Sequence, residues 1–165
     1  MTLIDKDIFC DNVRSCEKAM YSLAYSIVKN DSDAADVISE AIFRAYRNSD
    51  RLKNEKAFKS WILRIVHNTA VEMIRKNSKV VPIDEIPEEA DDTSENEIAT
   101  KLAVGDAVKR LKQPYRTVIV LFYYENLSVA NIAKITGTNP ITVKKQLSRA
   151  RNMMRELLKE DFANE

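Results

Sequence analysis

Apolar residues recur at helical spacing in three long stretches of the first half of the chain. In residues 7–29, 34–48 and 58–76 they fall at intervals of three and four, which predicts amphipathic helices that each bury one face. Ser32 or Asp33 is expected to cap the second helix, since short polar side chains accept bonds from free N–H groups at helix starts. Trp61 belongs to the apolar stripe of the third helix, which favours core packing over base stacking.

Helical spacing returns at residues 98–111 and 115–125 and then gives way to two helices separated by a tight turn. Ser128 can cap the first of these helices, and Thr136-Gly137-Thr138 ends it. Asn139 is a natural N-cap for the second, with Pro140 at its first position, where a missing N–H costs nothing. Its predicted core face consists of Val143, Leu147, Ala150 and Met154. The layout is typical of a helix-turn-helix, although an ordinary hairpin with a solvated basic face is the alternative.

The helical spacing of apolar residues is absent between the two halves of the chain. Pro82, Pro87 and an acidic run indicate a flexible linker there, over residues 80–97. Fully extended, the nineteen residues 82–100 can reach about 60 Å, enough to let two modules sit on separate elements of one duplex. Only two glycines and four prolines in 165 residues argue against a turn-rich β fold. We therefore predict an all-α protein with helical domains at 1–79 and 98–160 and a frayed tail at 161–165.

The distribution of charge along the chain is more informative than the net charge. The net charge is +1, but residues 84–97 contain eight acidic residues and no basic one, so the rest of the chain carries +9. Protein segments with such an excess of positive charge are typical of partners that carry phosphate groups, such as nucleic acids. Residues 44–79 are the basic part of the first domain, with ten basic residues against three acidic ones.

Other chemistry is sparse. The chain has two cysteines, Cys10 and Cys16, which lie six residues apart, and a single histidine. This composition excludes a zinc finger and favours buried or half-buried thiols without a metal. His67 is expected to be a surface or capping residue. There is no catalytic or cofactor motif, no apolar run of membrane-spanning length and no signal peptide, so we expect a cytoplasmic protein that is not an enzyme.

Three strings in order resemble the extracytoplasmic-function (ECF) group of bacterial sigma factors in the sigma-70 family. They are AADVISEAIFRAYRN at 34–48, FKSWILRIVHNTAVEMIRKN at 58–77, and the segment that begins LKQPYR at 111 and includes TVKKQLSRAR at 142–151. The resemblance implies a region 2-like helical bundle and a region 4-like helix-turn-helix. It also implies binding to core RNA polymerase and promoter DNA, usually under the control of an anti-sigma factor.

The resemblance assigns roles to individual positions. The helix that contacts the clamp helices of the polymerase β′ subunit corresponds to Asp36, Glu40, Phe43, Arg44 and Arg47. The −10 strand would be captured by Arg51, Lys53, Asn54, Lys56, Lys59, Asn68 and Arg75. The −35 element would be bound by Arg116, Thr142, Lys144, Lys145, Gln146, Ser148, Arg149 and Arg151, within a domain that also touches the β flap. Among these, Gln146 and Arg149 are the expected base readers, and Arg116 and Arg151 the expected phosphate contacts.

Several positions depart from the family pattern. Ser39 stands where glutamine is usual, Glu72 where aspartate is usual and Ile141 where glycine is common. Gln146 replaces a common arginine, and glutamine pairs with adenine where arginine prefers guanine. The −35 sequence that this chain reads is therefore expected to differ from the commonest one.

Two other functions compete with the sigma factor. One is a stand-alone helix-turn-helix regulator whose helical N-terminal domain senses a signal or dimerises. The other is a helical scaffold that binds only proteins, which leaves the basic face of the last helix unexplained.

Overall fold

The computed structural model describes residues 5–77 and 96–163, with side chains described for 5–77 and 101–160. The first segment contains α1 (Lys6–Val28), α2 (Asp31–Arg47) and α3 (Phe58–Asn77), with 3-10 turns at Ser49–Arg51 and Glu55–Ala57 before α3. The second contains α4 (Asn96–Arg110), α5 (Tyr115–Ile119), α6 (Val129–Thr136) and α7 (Pro140–Ala163). Neither described segment contains a strand, and the all-α prediction is confirmed. The predicted linker lies outside the described residues except for its last two, which belong to α4.

The junction between α1 and α2 is tighter than predicted. Lys29 adopts a left-handed conformation with φ of 64° and ends α1 through a bond from its N–H to the Tyr25 carbonyl. Asn30 then caps α2 directly, since its side-chain oxygen accepts a bond of 2.7 Å from the Asp33 N–H. The prediction of Ser32 or Asp33 as the cap is wrong. Only Lys29 and Asn30 separate the two helices, and Ser32 and Asp33 already lie within the first turn of α2.

The helix-turn-helix forms as predicted. Ser128 Oγ accepts a bond of 3.1 Å from the Asn131 N–H, and Asn139 Oδ1 accepts one of 2.8 Å from the Thr142 N–H. Gly137 closes α6 with a φ of 70°, a conformation that glycine adopts without steric cost. The predicted core face of α7 is buried at Val143, Leu147 and Ala150 and half-buried at Met154.

Two other predictions for the second segment need correction. The predicted helix at 115–125 is regular only to Ile119 and continues as a π-helical turn at Val120–Tyr124, closed by a bond of 3.2 Å from the Glu125 N–H to the Val120 carbonyl. The frayed tail is wrong for residues 161–163, because α7 runs through Ala163. No glycine or proline lies in that stretch to stop it.

The apolar faces of all three N-terminal helices meet in one core, with Met20, Leu23, Ile62 and Leu63 fully buried. Trp61 is half-buried against this core, with its ring centroid 5.8 Å from that of Phe58, which agrees with the packing role predicted for it. Both cysteines also behave as predicted, since Cys16 is buried and Cys10 half-buried.

The two domains contact each other directly. α3 packs against α6, while α1 contacts α5 and the π-helical turn, so that buried residues of both segments belong to one continuous cluster. The long recognition helix α7 is thereby held near α3 through α6.

The two glycines of the chain provide a matched test of the turn between α6 and α7. We expect Gly137→Ala to destabilise the protein by about 1–2 kcal/mol, because a side chain strains the left-handed conformation. Gly105→Ala, in the middle of α4, should stabilise it by about 0.5–1 kcal/mol, because a Cβ there meets no atom within 4 Å and alanine favours helix. Urea unfolding followed by circular dichroism measures both, and equal shifts in the two midpoints would contradict the assigned role of Gly137.

Candidate nucleic-acid and partner interfaces

The outer face of α2 is an exposed strip that mixes charge with one aromatic side chain. Asp36, Glu40, Phe43 and Arg47 are all exposed, and Phe43 keeps 56% of its surface in contact with solvent. The Arg47 guanidinium lies 5.6 Å from the centroid of the Phe43 ring, which supports that ring from one side. An exposed phenylalanine flanked by charges is a common composition for a protein-binding surface.

Arg44 lies on the same face but points inward to α3. It bonds the Glu40 carboxylate at 3.0 Å, the Glu72 carboxylate at 2.9 Å and the Thr69 hydroxyl at 3.4 Å. The hydrogen bond from Arg44 lowers the pKa of the Glu72 carboxyl below its usual 4.5. Arg44 therefore ties α2 to α3, and Glu72 is the residue of α3 that it reaches.

Basic side chains surround the junction of α2 and α3. Arg51, Lys53, Asn54 and Lys56 lie on the exposed turns between these helices, and Lys59 is exposed in the first turn of α3. Asn68 and Arg75 are exposed further along α3. Asn54 has a structural task as well, because its side-chain oxygen accepts a bond of 3.0 Å from the Lys56 N–H.

The recognition helix α7 presents a polar surface from its first turn onward. Lys144, Lys145, Ser148 and Arg149 are exposed, whereas Thr142 and Gln146 are half-buried. Ile141, which the sequence analysis noted only as a departure, is 69% exposed beside them. A large apolar side chain left in water at this position marks it as a candidate contact surface.

The structure separates the two expected phosphate contacts from this surface. Arg151 is half-buried, and its Nε donates to the Tyr123 hydroxyl at 2.6 Å while its guanidinium lies over the Phe122 and Tyr123 rings. Arg116 is only 7% exposed and donates to the main-chain carbonyls of Ser26 and Leu111. In this conformation Arg116 cannot reach a phosphate, because its charge is buried between the two domains.

Comparison with known proteins agrees with this geometry. Residues 13–80 match the family model for Sigma-70 region 2, and residues 101–154 match that for Sigma-70, region 4. RNA polymerase sigma factor SigV of Bacillus subtilis is 35% identical over 144 residues, which is 87% of each chain. ECF RNA polymerase sigma factor SigW of the same organism is 31% identical, with 94% of this chain and 91% of that protein covered.

The chain belongs to the ECF group of RNA polymerase sigma factors.

The sigma factor shares its fold with solved relatives. RpoE of Bartonella quintana, in complex with the anti-sigma factor NepR, superposes with a TM-score of 0.76 at 25% identity, over 94% of this chain and 98% of that chain. CnrH, in complex with the cytosolic domain of CnrY, has a TM-score of 0.71 at 21% identity, over 96% and 92% of the two chains. The second likeness concerns the fold alone.

This protein is accordingly an alternative sigma factor that binds core RNA polymerase and directs promoter recognition and transcription initiation. A stand-alone helix-turn-helix regulator is not favoured, because the domain which that hypothesis leaves for sensing or dimerisation matches region 2. Within residues 5–77 and 96–163, no helix is long and apolar enough to cross a bilayer.

The sigma factor also contains a groove that the sequence did not predict. It has a volume of about 350 Å³ and lies between α4, the α5 segment and α7. Its apolar wall is formed by Val104, Val108, Ile119, Tyr123, Tyr124 and Met154, and its basic rim by Arg151 and Arg155. The groove could not be read from the sequence because three separate helices contribute to it.

His67 is not the surface or capping residue that we expected. It is half-buried in the middle of α3, and its Nδ1 has no hydrogen-bond partner. Burial lowers the pKa of the imidazole below its usual 6.5, partly offset by the Asn68 side chain and reinforced by the Arg64 charge. The folded sigma factor therefore favours neutral His67.

This burial predicts a pH dependence with a defined sign. Since the pKa of His67 is lower in the folded state, the unfolded state takes up a proton first, and stability falls as the pH drops below about 6.5. We expect His67→Gln to remove this slope, which is at most about 1.4 kcal/mol per pH unit for one group. Urea unfolding between pH 8 and pH 5 measures it.

Glu72→Gln is the matched control for His67. Its carboxyl also has a lowered folded-state pKa, but the usual value is 4.5, so the stability that it contributes is lost only at more acidic pH. An unchanged slope between pH 7 and pH 5 in His67→Gln would show that this imidazole does not titrate between the two states as described.

Proposed function

We propose that three surfaces divide the work of this sigma factor. The exposed strip of α2 binds the β′ clamp helices of core polymerase, the basic junction of α2 and α3 captures the −10 strand, and the polar face of α7 reads the −35 element. The observation that carries the proposal is the division of α7 between buried Val143 and Leu147 and the exposed polar side chains of its first half. A helix anchored in this way can present its outer face to a major groove.

The clamp contact is supported by the composition of the α2 strip. Asp36 and Glu40 offer carboxylates one turn apart, and Phe43 provides an exposed apolar anchor one turn further along. Arg44 supports the strip through Glu40 and Glu72. Its substitution would disturb both the strip and the packing of α3, so Asp36 is the sharper position to test.

We expect Asp36→Arg to abolish co-purification with core RNA polymerase, because it reverses the charge at the start of the strip while leaving the buried face of α2 unchanged. The matched control is Glu17→Arg, which makes the same reversal at an exposed position of α1. Far-ultraviolet circular dichroism should be unchanged for both. Retention of polymerase binding by folded Asp36→Arg would remove α2 from the interface.

The −10 assignment is supported by charge and exposure. Arg51, Lys53 and Lys56 follow one another on a surface where phosphates of a single strand can be tracked. Asn54 stands among them, and its side-chain oxygen already accepts the Lys56 N–H. Its amide N–H groups are then the part that would read an unstacked base.

The −35 assignment rests on side chains that differ in reach and chemistry. Gln146 and Arg149 are suited to pair with base edges, while Lys144, Lys145 and Ser148 border them. We add Ile141 to this surface, because its exposed side chain can contact a thymine methyl group. Arg151 is held against Tyr123, which fixes its direction at the edge of the helix.

We expect Gln146→Ala and Arg149→Ala each to cost about 1–3 kcal/mol of promoter affinity and to relax preference at one base position. Lys159→Ala, at the exposed far end of α7, is the control and should leave base preference unchanged. Holoenzyme binding to matched and single-base-mutant −35 sites over a salt series is the measurement. If neither substitution changes affinity or base preference, α7 does not read the element as proposed.

The groove between α4 and α7 is the part of the C-terminal domain that we assign to the β flap. Its wall is apolar and its rim carries Arg151 and Arg155. An apolar segment with acidic flanks would fit both features. Apart from Arg151, which also borders the −35 surface, the α7 residues of this groove (Met154 and Arg155) lie beyond the proposed base readers, so DNA and the flap can be bound together.

We further propose that an anti-sigma factor holds this protein inactive in the cytoplasm, where core polymerase is found. The support is the likeness to RpoE of Bartonella quintana, solved with the anti-sigma factor NepR. The family is a regulatory one, and the proposed role needs no catalytic residue of the chain itself.

A further inference from the structure

The groove between α4, the α5 segment and α7 leaves two tyrosine rings in water. Tyr123 and Tyr124 are 50% and 49% exposed, and both line the groove. They belong to the π-helical turn, a distortion that is frequent at functional sites. The Tyr123 ring is fixed in place, because its hydroxyl accepts a bond of 2.6 Å from Arg151. The groove therefore has a positioned aromatic wall that remains open to an occupant.

The rim of the groove is positively charged. Arg151 and Arg155 both come from α7, and none of the described residues that line the groove carries a carboxylate. Arg155 is exposed, and its Nη1 donates at 3.3 Å to the uncharged Asn152 side chain, so its charge is free to attract an anion. An occupant that suits both wall and rim brings acidic groups next to apolar ones.

The chain itself contains a segment of this composition, residues 83–92, here called the acidic segment. Ile83 and Ile86 lie three positions apart in it, and no basic residue occurs between positions 84 and 97. Its six acidic residues are Asp84, Glu85, Glu88, Glu89, Asp91 and Asp92. The isoleucines match the apolar wall of the groove, and the carboxylates match its two arginines.

The acidic segment is attached to the helix that forms one wall of the groove. Val104 and Val108 line the groove about 12 and 18 Å from the start of α4 at Asn96, at about 1.5 Å per residue. Ile86 precedes Asn96 by ten positions, which reach up to about 33 Å. It follows Asn77, the end of α3, by nine positions, or about 30 Å. Tethers this short give the segment an effective concentration at the groove in about the millimolar range.

We propose that the acidic segment occupies this groove in the free sigma factor, with its isoleucines against the wall and its carboxylates at the rim, and that it must leave before the β flap can bind there. The inference concerns the regulation of that site and rests on the flap contact proposed above. The apparent Kd for the flap is then the intrinsic Kd divided by the fraction of molecules whose groove is free.

A thiol placed in the groove tests the cover without polymerase. Tyr124→Cys, in a background with Cys10→Ser and Cys16→Ala, reacts with a soluble maleimide at a rate that reports its accessibility. Tyr21→Cys, at a 40% exposed position of α1, provides a reference thiol in the same background. Circular dichroism checks that each variant is folded.

We expect Ile83→Ser combined with Ile86→Ser to raise the labelling rate of the groove thiol at least threefold and to leave that of the reference thiol unchanged. Val80→Ser combined with Val81→Ser makes the same change outside the acidic segment and should have no effect. Equal rates in all linkers overturn the proposal and leave the promoter function and the flap contact intact. Protection that grows with protein concentration also overturns it, because it assigns the cover to a second copy of the chain.

Charge reversal tests the pairing at the rim. Arg155→Glu should expose the groove thiol, and adding Glu88→Lys and Glu89→Lys should restore its protection. Lys159→Glu, one turn further along α7, is the control and should leave the labelling rate unchanged. Labelling that does not respond to Arg155→Glu, or that is not slowed again by the two lysines, overturns the proposed pairing of carboxylates with the rim.

Core RNA polymerase separates this inference from the function on which it rests. Its affinity, measured by anisotropy of a dye on the reference thiol, should rise at least threefold when Ile83 and Ile86 are replaced by serine. Unchanged affinity overturns the competition between segment and flap. If polymerase does not protect the groove thiol of the serine variant, the flap contact itself fails, whereas protection by the acidic segment is measured without polymerase.

Discussion

The buried guanidinium of Arg116 is the interaction on which the arrangement of this molecule depends. A charge removed from water is tolerated only where hydrogen bonds replace its hydration, and the carbonyls of Leu111 and Ser26 are two of the acceptors here. The first belongs to its own domain and the second to the end of α1. Satisfying the charge therefore links one domain to the other, beside the contacts of α3 with α6.

Charge at helix ends has different consequences in the two domains. At the α2–α3 junction, the basic side chains remain in solvent, where they weakly repel each other and are suited to a phosphate backbone. At the domain interface, Arg64 donates to the Lys134 carbonyl and Arg116 to the Ser26 carbonyl, in each case a carbonyl of the opposite domain. The same residue type thus serves recognition or packing according to whether an unpaired helix end lies within reach.

Arg44 shows how a binding surface is stabilised from behind. Its bonds to Glu40 and Glu72 cross from α2 to α3, so the strip that we assign to the polymerase is attached to the helix that we assign to the −10 element. An ion pair this exposed contributes about 0–1 kcal/mol to folding, and its main effect is to restrict the direction of the side chains. The longer carboxylate at Glu72, where aspartate is usual in the family, is the one that Arg44 reaches.

The helices, their all-α class and the caps of the helix-turn-helix were determined by the sequence, because periodic apolar faces and the pairs Ser128–Asn131 and Asn139–Thr142 act over three or four residues. The outward face of α7 followed from the same spacing. The burial of Arg116 and His67, the inward turn of Arg44 and the groove beside α7 were decided only by the tertiary structure. Each depends on atoms brought together from distant parts of the chain, as Ser26 and Thr117 are across ninety-one positions. The order of neighbouring residues does not encode such contacts, so the sequence predicted Arg116 as a phosphate contact, whereas the fold buries it against the end of α1.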